Sequence, residues 1–492
     1  MILLINPRLV VQKHDSLTTG IVYMPIGLAI FAGGLNKLQV AYKVIDLFGL
    51  KPQKSTEINN SWLFGEDLRK VAKSFSTAPS SVVIYANQAA NHLDITLIIR
   101  DISLLYPSSP IYLLENSQAV TAYSLDSARE QFGEFNIAGV ITGTPDKQVN
   151  TFVNQILKLG LEPVEPTAFW EQFPINNYWN YKLSHGPQTE SKYLPVLTSY
   201  GCPWGCSFCV VPATNFRKWI SKNAVDVYEE IKSLKEIFGV TEFHIEDLNP
   251  SINTQRIVEI ANKLKELSIT WKIVAGTKAE TLDSYETLYH LSQSGLNYFS
   301  FSPESGSKKV RLDIDKRFDV KHSFKLIRWT RKLNIRTQAC FVLGMPSEKR
   351  FDRFKSLLLI RFYTILGLDE IAVFIISPMP GSKIYKKSEV KIEEISFSPS
   401  WRKDYTKLSI VRIYWYLNFL VLKLIFHPYE FIKSIQRFFS KKFELKMELA
   451  PHRSLQWKKW ARTNNKRDSL NLKRILRKVL DLKQIKSINS KL

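Results

Sequence analysis

Eleven short apolar runs, each four to six residues long and set apart by helix-length stretches, limit what this chain can fold into. Five fall in the first 155 residues: Ile2–Ile5, Tyr42–Asp46, Ser81–Tyr85, Ile111–Leu114 and Ala138–Ile141. Runs this short and this continuously apolar read as strands buried on both faces. Helix-length segments between them predict parallel pairing. The first 155 residues are therefore expected to form a doubly wound, Rossmann-like parallel sheet. Pro25–Leu28 opens its first helix, which is expected to run to about Leu38. In such sheets ligands sit beyond the C-terminal strand ends. Those ends are Asn6, Asp46, Ala86–Asn87, Glu115–Asn116 and Thr142–Gly143.

Residues 156–192 are rich in proline and aromatics, lack a period, and read as a linker packed on its neighbours. The second series of runs is Val196–Ser199, Phe243–Glu246, Trp271–Val274, Asn297–Ser302, Gln338–Leu343 and Ile371–Ile376. Six strand–helix repeats over residues 193–400 predict an α/β domain built as an open, partial (β/α)6 barrel. Active residues of closed barrels cluster at C-terminal strand ends, and the same is expected here. Val227, Ile231, Leu234 and Phe238 share one face of a helix that Gly239 ends.

A loop after the first barrel strand holds three cysteines in eight residues: Cys202, Cys206 and Cys209, spaced C-x3-C-x2-C. Three thiolates can hold three irons of a [4Fe–4S] cube and leave the fourth iron open, where an electron-transfer cluster takes four cysteines. A structural zinc site wants four ligands in two paired halves, and neither Cys340 nor His185 has a paired neighbour. A disulfide framework suits a small secreted domain, and this chain has 492 residues. Cys340, in an apolar strand, reads as a small buried hydrophobe.

Cysteines committed to a cluster imply a reducing cytoplasm. The apolar start, Met1–Ile5, lacks a charged n-region and cleavage site and reads as a strand rather than a signal peptide. The net charge is +23; residues 401–492 carry 23 Lys and Arg against 6 Asp and Glu, about +17 of it. A basic helical tail of this kind suits an anionic surface. Ile413, Leu417, Leu420 and Leu424 recur at helical spacing beside Tyr414, Trp415 and Tyr416. Two readings stay open: an interfacial helix at the inner membrane face, or a face packed on the barrel. No RNA-binding module accompanies the basic end, so nucleic acid is not the expected partner.

The cysteine loop resembles that of radical S-adenosylmethionine (SAM) enzymes, and the preceding α/β domain resembles that of the subgroup with an N-terminal cobalamin-binding domain. The resemblance covers roughly residues 1–400. It implies three cofactors: a [4Fe–4S] cluster, SAM chelated at the open iron, and cobalamin. It also implies reductive SAM cleavage to a 5′-deoxyadenosyl radical, with a reductant such as flavodoxin or ferredoxin. The implied reaction is methyl transfer to an unactivated carbon of a small-molecule or lipid substrate; ring formation, oxidation, rearrangement and RNA modification are the alternatives. By the same resemblance Phe208 contacts the adenine, and Glu246 or Asp247 meets the SAM amino group. Glu304 and Ser305, in the E-S-G-S element, reach its ribose and carboxylate, and Gly344 opens a G-x-P-x-E turn. Pro380–Tyr385 resembles a structural element near the barrel's end. The chain departs from the subgroup where Glu115–Asn116 replaces a Gly–Gly pair. It also lacks the D-x-H-x-x-G motif; His14 and His92 are expected at the surface.

Overall fold

The computed structural model describes residues 1–14, 20–73, 75, 77–119, 121–132, 135, 137–215, 217–386, 395 and 399–464. The basic pairs Lys466–Arg467 and Lys473–Arg474 lie outside the described residues. The N-terminal strands are β1 (Ile2–Asn6), β2 (Leu9–Gln12), β3 (Tyr42–Asp46), β4 (Ser55–Ile58), β5 (Ser61–Phe64), β6 (Ser81–Ala86), β7 (Ile111–Glu115) and β8 (Gly139–Ile141). Five of them form a parallel sheet in the order β3-β1-β6-β7-β8. Strand order reverses between β1 and β6, the switch point of a flavodoxin-like sheet. Every residue of β1 and β6 is buried, as expected of strands covered on both faces. The Ile26–Lys37 helix buries nine of its twelve residues. A second, antiparallel sheet in the order β2-β5-β4 lies beside it.

The second series comprises β9 (Tyr193–Val196), β10 (Ser199–Gly201), β11 (Trp219–Ser221), β12 (Glu242–Ile245), β13 (Thr270–Thr277), β14 (Leu296–Glu304), β15 (Arg336–Leu343) and β16 (Glu370–Ile375). Six of these pair in parallel in the order β16-β15-β14-β13-β12-β9, an open barrel wall. The run expected at Val196–Ser199 is split. β9 stops at Val196 because the carboxylate of Asp247 takes the Thr198 amide at 2.7 Å and the hydroxyls of Thr198 and Ser199 at 2.6 and 2.5 Å. Ser199 then begins an antiparallel ribbon with β11. The Ala224–Phe238 helix starts on the side chain of Asn223 and ends at Gly239, φ 63°.

His92 corrects the expectation of a surface residue. It is buried at the start of the His92–Leu105 helix, its Nδ1 3.3 Å from the Tyr123 hydroxyl, and burial pulls its pKa down to about 4. His14 is exposed.

The C-terminal region is part of the body. The Tyr405–Phe426 helix buries Leu408, Arg412, Trp415, Phe419 and Lys423. Residues 446–464 are helical. The chain just before that helix and within it bonds to both sides of the open barrel. Lys446 and Met447 donate their amides to Glu370 at the start of β16. The Phe443 amide bonds Gln188 O, and Arg453 bonds Ser184 O, in the segment that leads into β9. Trp457 then packs on Phe48 and Phe64 of the N-terminal half.

Burial of Phe419 is complete, so Phe419→Ala leaves a cavity under the Tyr405–Phe426 helix. A loss of about 3–5 kcal/mol in urea unfolding is expected; a change under about 1 kcal/mol would mean that this helix is not docked as described.

Candidate functional site

The barrel strands and loops of the N-terminal half open on one cavity of about 660 Å³. From the N-terminal half Ile21, Tyr23, Gln118, Ala119 and Thr121 line it. From the barrel it takes the cysteine loop and residues in or just after β12 to β16. The C-terminal helix adds Lys446, Met447, Ala450 and Arg453.

The loop is set by backbone geometry. Gly201 has φ +79°, and a Cβ there would lie 2.2 Å from Lys218 O, so only glycine fits. Its amide bonds Gln118 Oε1 across the domains at 2.9 Å. Cys209 N bonds Cys206 O at 3.1 Å, which curls the loop. Asn249 Nδ2 donates to Cys202 Sγ at 3.3 Å. All three thiols are free and line the cavity. As placed, no three His, Cys, Asp or Glu side chains among the described residues close around a single point. The donor set itself fits a cluster: three thiols on one curled loop, with no fourth protein ligand beside them. Burial raises the pKa of each thiol, that of Cys209 to about 12. Thiolates at these positions would therefore need positive charge from a bound metal and from the protein. Lys316 supplies part of it: it is buried, pairs with Glu304 at 2.6 Å, and its charge lowers the Cys206 and Cys209 thiols.

Of the residues expected to hold SAM, Phe208, Glu246 and Glu304 line the cavity. Phe208 also packs on the cluster of Val310, Ile314, Val342, Met345 and Ile376. Glu304 sits at φ +60°, the left-handed region. Glu246 accepts from His185 Nδ1 at 2.7 Å. Burial holds His185 neutral, at a pKa of about 4, despite that carboxylate. Its Nδ1 then carries the proton, and Nε2 accepts from the Lys446 ammonium at 3.2 Å.

Asp247, Ser305 and Gly344 do not line the cavity. Asp247 faces Thr198 and Ser199. Ser305 bonds Ser356 and the Ser307 amide. Gly344, φ +82°, donates to Glu348 Oε2 within its own turn. The Pro380–Tyr385 element ties three parts together: Ser124 N bonds Pro380 O, and Ile384 N bonds Ser207 O beside the cysteines.

Residues 196–359 match the family model of the Radical SAM superfamily. The match covers the cysteine loop and most of the barrel of this chain. Over 393 residues, 70% of this chain and 73% of its relative, the chain is 23% identical to cytidylyl-2-hydroxyethylphosphonate methyltransferase of Streptomyces wedmorensis. Among solved structures it resembles the radical S-adenosylmethionine methyltransferase TsrM of Kitasatospora setae, with tryptophan substrate and a SAM analogue bound. That likeness has a TM-score of 0.57 at 13% identity, over 77% of this chain and 74% of TsrM. It also resembles the cobalamin-dependent radical enzyme OxsB with aqua-cobalamin bound, at a TM-score of 0.53 and 15% identity, over 78% of this chain and 55% of OxsB. The fold shared with both joins an N-terminal parallel sheet, a radical SAM barrel and a helical C-terminus.

Sequence reasoning missed Gln118, Lys316, His185, Lys446 and Arg453. Lys446 and Arg453 were hidden in a basic tail that reads as one charged surface.

Two substitutions separate ligand from scaffold. Cys206→Ala should abolish the visible absorbance of the reconstituted [4Fe–4S] cluster without loss of fold. Asp247→Asn should retain that absorbance and lower stability by about 1–3 kcal/mol, because it weakens three buried hydrogen bonds. The reverse pattern would exchange their roles.

Proposed function

We propose that this chain is a cobalamin-dependent radical SAM methyltransferase that acts on an unactivated carbon of a small molecule. The observation that carries the reading is the shared cavity, lined by the cysteine loop and the barrel strands together with Ile21, Tyr23, Gln118, Ala119 and Thr121 from loops of the N-terminal half. When bound, the cluster with SAM supplies a carbon radical, and cobalamin supplies a transferable methyl group. Cys202, Cys206 and Cys209 would hold the cluster, and Phe208, Glu246 and Glu304 would contact SAM.

The residues around the N-terminal loops fit a corrin in one respect. Gln88 Oε1 is buried there with no partner, while its Nε2 reaches Ile21 O. The switch-point crevice itself is filled: Asn6 bonds Asp46 and Asn87, and Asn87 bonds Asn91. A cofactor held by this half would therefore rest on the cavity loops. Glu115, where the subgroup has glycine, is buried and caps Leu125 N at 2.9 Å.

Anaerobically reconstituted protein with SAM, a reductant such as flavodoxin, and cobalamin should retain about one corrinoid per chain and form 5′-deoxyadenosine. The product should gain one methyl group. Deoxyadenosine without corrinoid would favour cyclisation, oxidation or rearrangement instead. An intact cluster that cleaves no SAM would end the radical reading.

A peripheral contact with an anionic lipid surface belongs to the same proposal. By length and composition the Tyr405–Phe426 helix could cross a membrane, with a mean hydropathy of 1.5. Arg412 and Lys423, however, face the barrel. Its outer face exposes Ile413, Leu417, Val421 and Leu424, continued by Ile432 and Phe439 on the Pro428–Ser440 helix. An uncharged stripe beside exposed Lys403, Lys407, Lys441 and Lys442 suits the interface of an anionic bilayer. Flotation with phosphatidylserine vesicles should recover the wild-type protein, and Leu417→Glu with Val421→Glu should reduce recovery several-fold. Equal recovery would remove the lipid contact.

A further inference from the structure

The part of the cavity wall supplied by the C-terminal helix carries more positive charge than its neighbours neutralise. Lys446, Ala450 and Arg453 lie at i, i+4 and i+7, so they share one helical face, and all three line the cavity. The two cations are spaced by about 10 Å along the axis, with the small Ala450 between them. Lys446 is accounted for: its ammonium donates to Val274 O at 2.7 Å and to His185 Nε2, and His185 leads on to Glu246. Glu370 lies under Lys446 but binds the backbone amides there and does not line the cavity.

Arg453 differs. Its residue is 6% exposed, and among the described residues its one direct polar contact is Nη1 to Ser184 O at 2.7 Å. Among the described residues no carboxylate touches it; its electrostatic neighbours are the phenols of Tyr193 and Tyr23, the imidazoles of His185 and His452, and the Lys446 ammonium. Lys316, the other buried cation in the wall, is paired with Glu304. Burying a guanidinium without a counter-charge costs several kcal/mol, and five N–H donors in a planar fork match a carboxylate or phosphoryl group. Tyr23, from the N-terminal half, adds a hydroxyl to the same wall.

We propose that Arg453 is a substrate-binding residue that receives an anionic group, carboxylate or phosphoryl, of the molecule modified in this cavity. The inference rests on reading the cavity as the reaction chamber. An anion there neutralises Arg453 and anchors one end of the substrate, while the rest extends along the barrel interior, past Gln338 and Ser300, toward the cysteine loop.

The test uses the reconstituted full chain with SAM and three probes of like shape: phenylacetate, phenylphosphonate and the neutral phenylacetamide. Calorimetric binding should favour at least one anion over the amide by tenfold or more. Which anion wins separates carboxylate from phosphoryl recognition. Arg453→Gln should erase the preference while its circular-dichroism spectrum remains that of the folded chain. Arg453→Lys, which keeps the charge but loses the fork, should retain a weakened preference. Anions that bind wild type no better than the amide, or a preference that survives in Arg453→Gln, overturns the assignment. Failure of wild type to cleave SAM would instead count against the radical reading and leave the anion measurement standing.

Discussion

An open barrel leaves two strand edges unpaired, and buried edges must find partners for their amides and carbonyls. Closure of the β9 and β16 edges is the constraint on which the rest of this structure depends. On the β16 side the Tyr416 hydroxyl accepts from Val373 N at 3.0 Å, and the Lys423 ammonium donates to Asp369 O. Glu370 takes the amides of Lys446 and Met447. On the β9 side Trp179 Nε1 donates to Tyr193 O at 2.6 Å. The cover thus comes from two stretches far apart in sequence, residues 175–188 and 405–453. Because it ends on Trp457 against Phe48 and Phe64, the same cover ties the barrel to the first sheet and fixes the width of the cavity.

That constraint explains which parts of the fold were legible in the sequence. Strands buried on both faces leave a continuous apolar run, and all five of the first sheet and five of the second lie where such runs occur. The exception is informative. Val196–Ser199 looks like one strand, yet a single buried carboxylate, Asp247, diverts it after Val196. The hydrogen-bond competition comes from a residue 49 positions away, and periodicity cannot register it. The small β2-β5-β4 sheet escaped for a different reason. Its strands are four residues long, and the one local signal is the Asn59–Asn60 turn, with Asn59 at φ +50°, a two-residue hairpin connection.

The site divides along the same line. Cysteine spacing is local, so the sequence already places Cys202, Cys206 and Cys209, with Phe208 beside them, on one loop, and that loop lines the cavity. Glu246 and Asp247 are adjacent in sequence and alike in chemistry, but successive residues at a strand end point to opposite sides. One reaches His185 and the cavity, the other the back of the cysteine loop. Nothing in a carboxylate pair distinguishes the two before the sheet exists. Lys316, twelve residues beyond Glu304, meets it only because the chain folds back under the loop. The Lys316 charge then favours the thiolate form of cysteines more than a hundred positions earlier.

The tail shows how composition can mislead. Lys and Arg in residues 401–492 outnumber acids almost four to one, which reads as one solvated, basic surface. Among the described residues of this stretch the charges have separate destinations. Arg412 and Lys423 turn inward on the Tyr405–Phe426 helix. That frees the outer face of charge and makes it more apolar than the sequence average. Lys446 and Arg453 turn into the cavity, where low polarisability strengthens any interaction with an ion. A helix that closes the barrel edge and also presents a guanidinium to the reaction space couples two requirements in one element. Its packing residues must preserve the closure, so on this helix it is Lys446, Met447, Ala450 and Arg453, which line the cavity, that bear on what the cavity accepts.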